Sequence, residues 1–316
     1  MRPELFRFFD VSFPAYFVFL LTGFMFATMV AASLAKSLGE DPDVMVDLGI
    51  GMLLSGILGA RLLHVVADGY FMDYVHLCTD PAKVAWKITK AECLSKNVLG
   101  QWDEAANVCR PSEGDCFAWA KFWAGGLTYY GGFMLAIPVA MRMLKRDGFP
   151  FGKAADCAGV AIALGLVFGR MGCFLAGCCF GERTTSFVGF SFPPRSPASE
   201  SHFKSGLLAS SREWSQHVHP TQLYESAGSL LVAFLCATYF WKRRAYSGQV
   251  FVAFMGLYAI LRFSLEYLRD DDRGAVAMFS TSQWISLVAL GAAIALEIWN
   301  RRKLQAVRSD IQKGNA

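Results

Sequence analysis

The chain has 316 residues, of which 54% are apolar, 14% aromatic and only 18% charged, and its mean hydropathy is +0.35. A soluble domain carries about a quarter charged residues, so an ordinary soluble class is excluded, as are collagen-like, disordered and small disulfide-scaffold classes. The net charge of +4 is too weak for a nucleic-acid partner and no basic run is interleaved with aromatics, which leaves an all-α polytopic membrane protein whose partner is the bilayer.

A bilayer core of about 30 Å takes about 20 apolar residues of helix. Seven segments fit: 14–35, 48–67, 126–144, 154–176, 221–241, 249–269 and 280–300. No series of short alternating strands suggests a barrel. The first segment follows Arg2 and Arg7, but its length, its aromatic content and the nearby Glu4 and Asp10 read as a retained helix rather than a cleaved signal. Basic clusters set the orientation. Arg142, Lys145, Arg146 and Lys153, then Lys242, Arg243 and Arg244, then Arg301, Arg302, Lys303 and Arg308 share one side if the N-terminus is outside and the C-terminus cytoplasmic. The loop with Lys36 against Glu40, Asp41, Asp43 and Asp47 runs the other way.

No internal repeat or linker divides the chain, so residues 1–316 read as a single transmembrane domain with two outer excursions. The first, 68–118, holds Cys78, Cys93, Cys109 and Cys116. An even number of cysteines in an oxidising compartment predicts two disulfides, with three connectivities open. Spacings of 15, 16 and 7 residues contain no C-x-x-C, which argues against zinc there. The second excursion, 182–218, sets Phe187, Phe190, Phe192, Phe203 and Trp214 among polar residues and reads as an interfacial arm. His217 and His219 read as cavity lining or a turn before Pro220. Cys173, Cys178 and Cys179 sit at the outer end of the fourth segment, where packing or a local disulfide outweighs catalysis, although Arg170 nearby keeps a reactive thiol in play. Cys157 and Cys236 read as packing residues.

Ionisable groups inside spanning helices cost at least about 2.5 kcal/mol each on insertion scales and persist where they face a cavity, a partner or a substrate. Here they are Arg61 with His64, Arg170, Glu225, and Arg262 with Glu266. Tyr258, Arg262, Glu266 and Arg269 recur at helical spacing on one face. The bland alternative pairs Arg262 with Glu266 and Arg170 with Glu225. Counting Arg61, that pairing leaves positive charge over, and arginine forks suit phosphate oxygens, so a pocket for an anionic phospholipid headgroup follows. Gly131, Gly132, Gly165, Gly169, Gly172 and Gly177 allow close helix approach or a backbone turn against a ligand.

From Tyr16 to Gln283 the chain resembles the prolipoprotein diacylglyceryl transferase family, through motifs in a fixed order. AYFVFLLTGFMFA puts Tyr16 at the family's first-helix tyrosine, and GARLLH supplies Arg61. AGGLTYYGGF occupies the place of the histidine-glycine-glycine motif, with Tyr130, Gly131 and Gly132. GRMGCFLAGCCFG follows the family signature and carries Arg170 and Gly181, while HPTQLYE brings in Glu225. GLYAILRFSLEYLR adds Tyr258, Arg262, Glu266 and Arg269, and STSQWIS resembles the opening of the last helix.

The resemblance implies an enzyme that moves a diacylglyceryl group from phosphatidylglycerol to the lipobox cysteine of a prolipoprotein. Glycerol phosphate is released and a thioether is left. It implies a multi-pass protein of the bacterial inner membrane with its active site toward the outer face. Arg170, Arg262, Tyr130 and Glu225 are then the catalytic candidates. Tyr16, Arg61, Gly131, Gly132, Gly181, Tyr258, Glu266 and Arg269 are the substrate-binding ones. Three positions depart from the family: Tyr130 replaces its histidine, Cys173 its signature asparagine and Cys178 its signature glutamate. A tyrosine with a pKa of about 10 is a poor base at neutral pH. Two other classes fit the same features: a membrane thiol oxidoreductase using Cys173, Cys178 and Cys179, and a non-catalytic lipid-binding relative. Nothing in the sequence points to a metal or an organic cofactor.

Overall fold

The computed structural model describes the chain except residues 1–3, 9–10, 87, 89, 95–99, 123–125, 271–274, 277 and 315–316. In chain order, a hairpin of β1 (Glu4–Phe8) and β2 (Val11–Pro14) leads into α1 (Ala15–Ser37) and α2 (Pro42–Ala67). The short helices α3 (Phe71–Thr79) and α4 (Lys90–Cys93) precede the hairpin β3 (Gly100–Asp103) and β4 (Val108–Pro111). Helices α5 (Tyr129–Arg146), α6 (Phe151–Ala176) and α7 (Pro197–Lys204) follow. Next, α8 (Thr221–Leu235) runs through a π turn into α9 (Trp241–Arg243). The chain ends with α10 (Gln249–Glu266), the hairpin β5 (Ala275–Val276) and β6 (Phe279–Ser280), and α11 (Thr281–Gly314).

Among the described residues, six helical stretches are long and apolar enough to cross a membrane: Ala15–Ser37, Pro42–Ala67, Phe151–Ala176, Thr221–Arg243, Gln249–Glu266 and Thr281–Asp310. The expected segment 126–144 is helical as α5, which has 18 residues and carries Arg142, Lys145 and Arg146 in its last turns. Those charges set it apart from the other six. Many large side chains on these helices point outward, among them Met29, Leu54, Phe234 and Val288. That is the expected surface where lipid, not water, is the solvent.

The chain divides into two compact units, Met1–Val46 with Phe149–Ala316, and Asp47–Gly148. In the first, α1 buries a stripe of small residues (Gly23, Ala27, Ala31 and Ala35) at helical spacing. A Cβ on Gly23 would overlap Phe168, and one on Gly172 would meet the Tyr16 backbone at 3.2 Å, so α1 and α6 approach as closely as glycine permits. Val160, Ala163, Val232, Ala233, Cys236, Val250 and Phe254 form the shared core of α6, α8 and α10. Cys157 and Cys236 are buried free thiols, as packing predicts. Asp156, buried in α6, accepts the Val250 N–H at 2.8 Å and so fixes the start of α10. Lys153 binds Glu40 at 2.5 Å, so an acid of the dissenting first loop is neutralised by a member of the basic cluster.

The segment 182–218 folds over a small core of Phe192, Ala198 and Val218, while Phe187 and Trp214 stay exposed. Ser196 caps α7 through the Ser199 N–H at 3.2 Å, and Ser199 in turn donates to the Ser211 and Glu213 carbonyls. Buried His202 accepts the Gln216 N–H at 3.1 Å, and burial lowers its pKa from the ordinary value. An unfolded histidine titrates near 6.5, so the unfolded chain takes up the proton first. Stability is therefore on its plateau above about pH 6.5 and declines as pH falls below it. In His202→Gln, melting temperatures between pH 7 and 5 are expected to fall less steeply than in the parent.

In the second unit, disulfides join Cys78 to Cys116 and Cys93 to Cys109, one of the three open connectivities. The second bridge closes beside the β3–β4 hairpin, in which Cys109 pairs with Trp102. Loop closure over the separations of 38 and 16 residues corresponds to about 4 and 3 kcal/mol. Reduction of the folded protein is expected to lower its melting temperature. Cys78→Ser/Cys116→Ser is expected to cost more than Cys93→Ser/Cys109→Ser in the same melts. Helices α2 and α5 meet backbone to backbone: a Cβ on Gly59 would strike the Gly131 carbonyl, and one on Gly132 would lie 2.8 Å from the Gly56 carbonyl.

Candidate active site

Arg170 of α6, Tyr258 of α10 and Arg269 just beyond α10 converge on Glu225 of α8, which is 1% exposed. Arg170 Nε lies 2.9 Å from Glu225 Oε2, Tyr258 donates its hydroxyl to Oε1 at 2.8 Å, and Arg269 Nη1 stands 4.0 Å from Oε2. One turn beyond Tyr258, Arg262 Nη2 contacts Glu266 at 2.7 Å and donates to Ser282 Oγ at 3.2 Å. Glu266 also accepts the Ser280 hydroxyl at 2.7 Å. Both pairs of the bland alternative are therefore formed. Arg269 completes a cluster of three arginines and two carboxylates. Buried Nη1 of Arg262 has no hydrogen-bond partner among the described residues, although an unsatisfied cationic donor in a dry site is costly.

The loop after α6 is tied down beside this cluster. Gly181 donates to the His219 carbonyl at 2.9 Å and Glu182 to that of Leu268 at 2.8 Å, so the chain runs alongside Arg269. A Cβ on Gly181 would overlap the Leu268 carbonyl, and this close passage is what its glycine serves. Gln222 and Thr221 at the start of α8 bind the carbonyls of Cys178 and Cys179 at 2.6 and 3.0 Å. Ser280, Ser282 and Gln222 were not singled out by sequence, although STSQWIS and HPTQLYE contain them. A cluster of hydroxyl and amide side chains at a helix start, facing an arginine stripe, is the signal that finds them. His219 contacts the Tyr224 hydroxyl at 3.3 Å, and His217 lines a cleft of about 610 Å³ with Arg183, Thr184, Thr185, Ser186 and Gln216. None of the buried arginines lines that cleft.

Tyr16 lies at the start of α1 against Gly172, with its side chain partly exposed. Arg61, Tyr130, Gly131 and Gly132 belong to the other unit. There Arg61 binds the carbonyls of Trp119, Gly126 and Ala118 at 2.7, 3.0 and 2.6 Å and stacks over Tyr74, so its fork gathers backbone. Asp68 bridges Thr128 and His64, and those hydrogen bonds, Thr128 first, hold its carboxyl below the usual range. Tyr130 is exposed and packs edge-on against Tyr129, while Gly131 and Gly132 serve the contact with α2. Cys173, Cys178 and Cys179 are free thiols, so the local disulfide is not formed.

The sequence pattern of the family described as prolipoprotein diacylglyceryl transferase matches residues 3–91 and 112–299. The chain belongs to that family. Among its curated relatives, the phosphatidylglycerol–prolipoprotein diacylglyceryl transferase of Clostridium tetani is 28% identical over 290 residues, covering 92% of this chain and 94% of the relative. A second enzyme so named, from Clostridium perfringens, is 26% identical over 304 residues, 96% of this chain and 97% of its own. That of Neisseria meningitidis serogroup B reaches 34% over a shorter stretch, 54% of this chain and 64% of the relative. The diacylglyceryl transferase family match is interrupted between 91 and 112, within the disulfide-bearing part of the second unit.

Proposed function

We propose that the protein transfers the diacylglyceryl group of phosphatidylglycerol, or of a related anionic phospholipid, to the lipobox cysteine of a prolipoprotein signal segment. It does so in a bacterial inner membrane, crossed by seven helices with α5 as the seventh. The N-terminus is outside, the C-terminus cytoplasmic and the site toward the outer face. The observation that carries this reading is the buried Nη1 of Arg262, which has no hydrogen-bond partner among the described residues. A phosphodiester monoanion supplies the missing acceptor.

Arg262 and Arg170 then hold the phosphate, and their charge is worth most as the glycerol phosphate departs with its extra electron pair. Glu225, through Arg170, Arg269 and the Tyr258 hydroxyl, orients them, and Glu266 orients Arg262. Tyr16 and Gly181 shape the surroundings of the lipid, while the family resemblance alone supports binding roles for Arg61, Gly131 and Gly132 and a headgroup-orienting role for the Tyr130 hydroxyl. The 182–218 arm lies at the outer interface, and the 68–118 loop with its two disulfides faces the same oxidising compartment. Purified protein incubated with phosphatidylglycerol and a lipobox peptide is expected to yield the thioether-linked lipopeptide and free glycerol phosphate by mass spectrometry. Absence of product where the Clostridium tetani relative gives it would overturn the reading.

A further inference from the structure

The transferase chemistry above leaves the acceptor thiol without an activating group, and it leaves three thiols without a task. Helix α6 ends at Ala176, where Gly177 turns left-handed at φ 75°. Cys179 does so again at φ 60°, an uncommon conformation for a residue with a side chain. The N–H groups of Gly177 and Cys178 both donate to the Cys173 carbonyl, at 2.9 and 3.2 Å, so the chain curls back over its own last turn. All three sulfurs thereby lie within 4.8 Å of one another. A tetrahedral zinc site with Zn–S of about 2.3 Å sets its sulfurs about 3.8 Å apart, a distance that small side-chain rotations reach from here. Cys173 is buried, whereas Cys178 and Cys179 are half-buried. No fourth cysteine, histidine or carboxylate joins them among the described residues. Three protein ligands and one open position distinguish catalytic zinc from structural zinc. Three thiolates and Zn²⁺ sum to one negative charge, and Arg170 and Arg269 neighbour Cys173 and Cys179.

We propose that Cys173, Cys178 and Cys179 bind one Zn²⁺ ion whose open fourth position takes the acceptor cysteine as a thiolate. The proposal rests on the transferase reading and gives that reaction its thiol activation. A thiol that coordinates the ion loses its proton, here to water. The sulfur electron pair then forms the S–C bond to the glyceryl carbon that carries the phosphate ester. That carbon's C–O bond breaks, and glycerol phosphate leaves with the bonding pair.

The test uses the full-length protein in detergent, stripped with a chelator and titrated with Co²⁺ and then Zn²⁺. One ion per chain is expected, with a sulfur-to-cobalt charge-transfer band. Cys173→Ser, Cys178→Ser and Cys179→Ser should each lose the band, while Cys157→Ser keeps it. A lipobox peptide should shift the visible cobalt bands of the parent protein, and the same peptide with serine for cysteine should not. Chelation should lower transfer about 100-fold, the scale of losing a proton-transfer group, and Zn²⁺ should restore it. Failure of the parent protein to bind either metal, or undiminished thioether formation in metal-free protein, overturns this proposal and leaves the transferase reading intact. Metal binding with no thioether product in any metal state overturns the transferase reading instead, and with it the acceptor role of the ion.

Discussion

Arg262→Ala is expected to lower kcat/KM for phosphatidylglycerol by about 100- to 1,000-fold, the usual loss when one preorganised donor to a developing charge is removed. Arg262 contacts Glu266 and Ser282 through Nη2, and its buried Nη1, without a hydrogen-bond partner among the described residues, is the donor that the proposed function gives to the lipid phosphate. Arg262→Lys keeps the charge but not the planar fork, so it should recover only part of the loss. The defect should appear mainly in kcat, because leaving-group charge is larger in the transition state than in the bound lipid. Steady-state kinetics with a lipobox peptide, at several phosphatidylglycerol fractions in mixed micelles, separate the two parameters. A variant with kcat unchanged and only KM raised would show that Arg262 binds the lipid without assisting departure.

The second large effect is expected at Glu225. Its carboxylate accepts Arg170 at 2.9 Å and the Tyr258 hydroxyl at 2.8 Å, and Arg269 stands 4.0 Å from it. Glu225→Gln keeps the shape and removes the charge, which strands buried arginine without compensation. Breaking one side of a buried ion pair typically costs about 3–5 kcal/mol. A clear drop in melting temperature and near-complete loss of turnover are expected together. Arg170→Gln/Glu225→Gln should melt above Glu225→Gln, since the stranded charge is gone, yet remain inactive. Equal melting of Glu225→Gln and the parent would mean that the cluster is open to water.

The spanning helices could be read from sequence because lipid demands uninterrupted apolar runs, and their loops show it by charge. The segment 126–144 blurs because Lys145 and Arg146, as well as Arg142, fall inside α5. The Arg262–Glu266 pair is written in i,i+4 spacing. No local rule writes the convergence of Arg170, Tyr258 and Arg269 on Glu225, which depends on how α6, α8 and α10 pack. The four paired cysteines were legible as a set but not as pairs, since the β3–β4 hairpin brings Cys109 toward Cys93. The Cys173–Cys178–Cys179 cluster was harder still. Its spacing matches no ligand motif, and two successive left-handed turns, at Gly177 and Cys179, gather the sulfurs.

The glycine contact between α2 and α5 bears on how a lipid reaches an enzyme that sits in its own substrate. With Gly56 and Gly59 against Gly132 and Gly131, the two backbones touch. No acyl chain can slide through that seam without prising the helices apart. An acyl chain that enters sideways from the bilayer therefore parts neither α2 from α5 nor α1 from α6, where Gly23 and Gly172 set the same close approach.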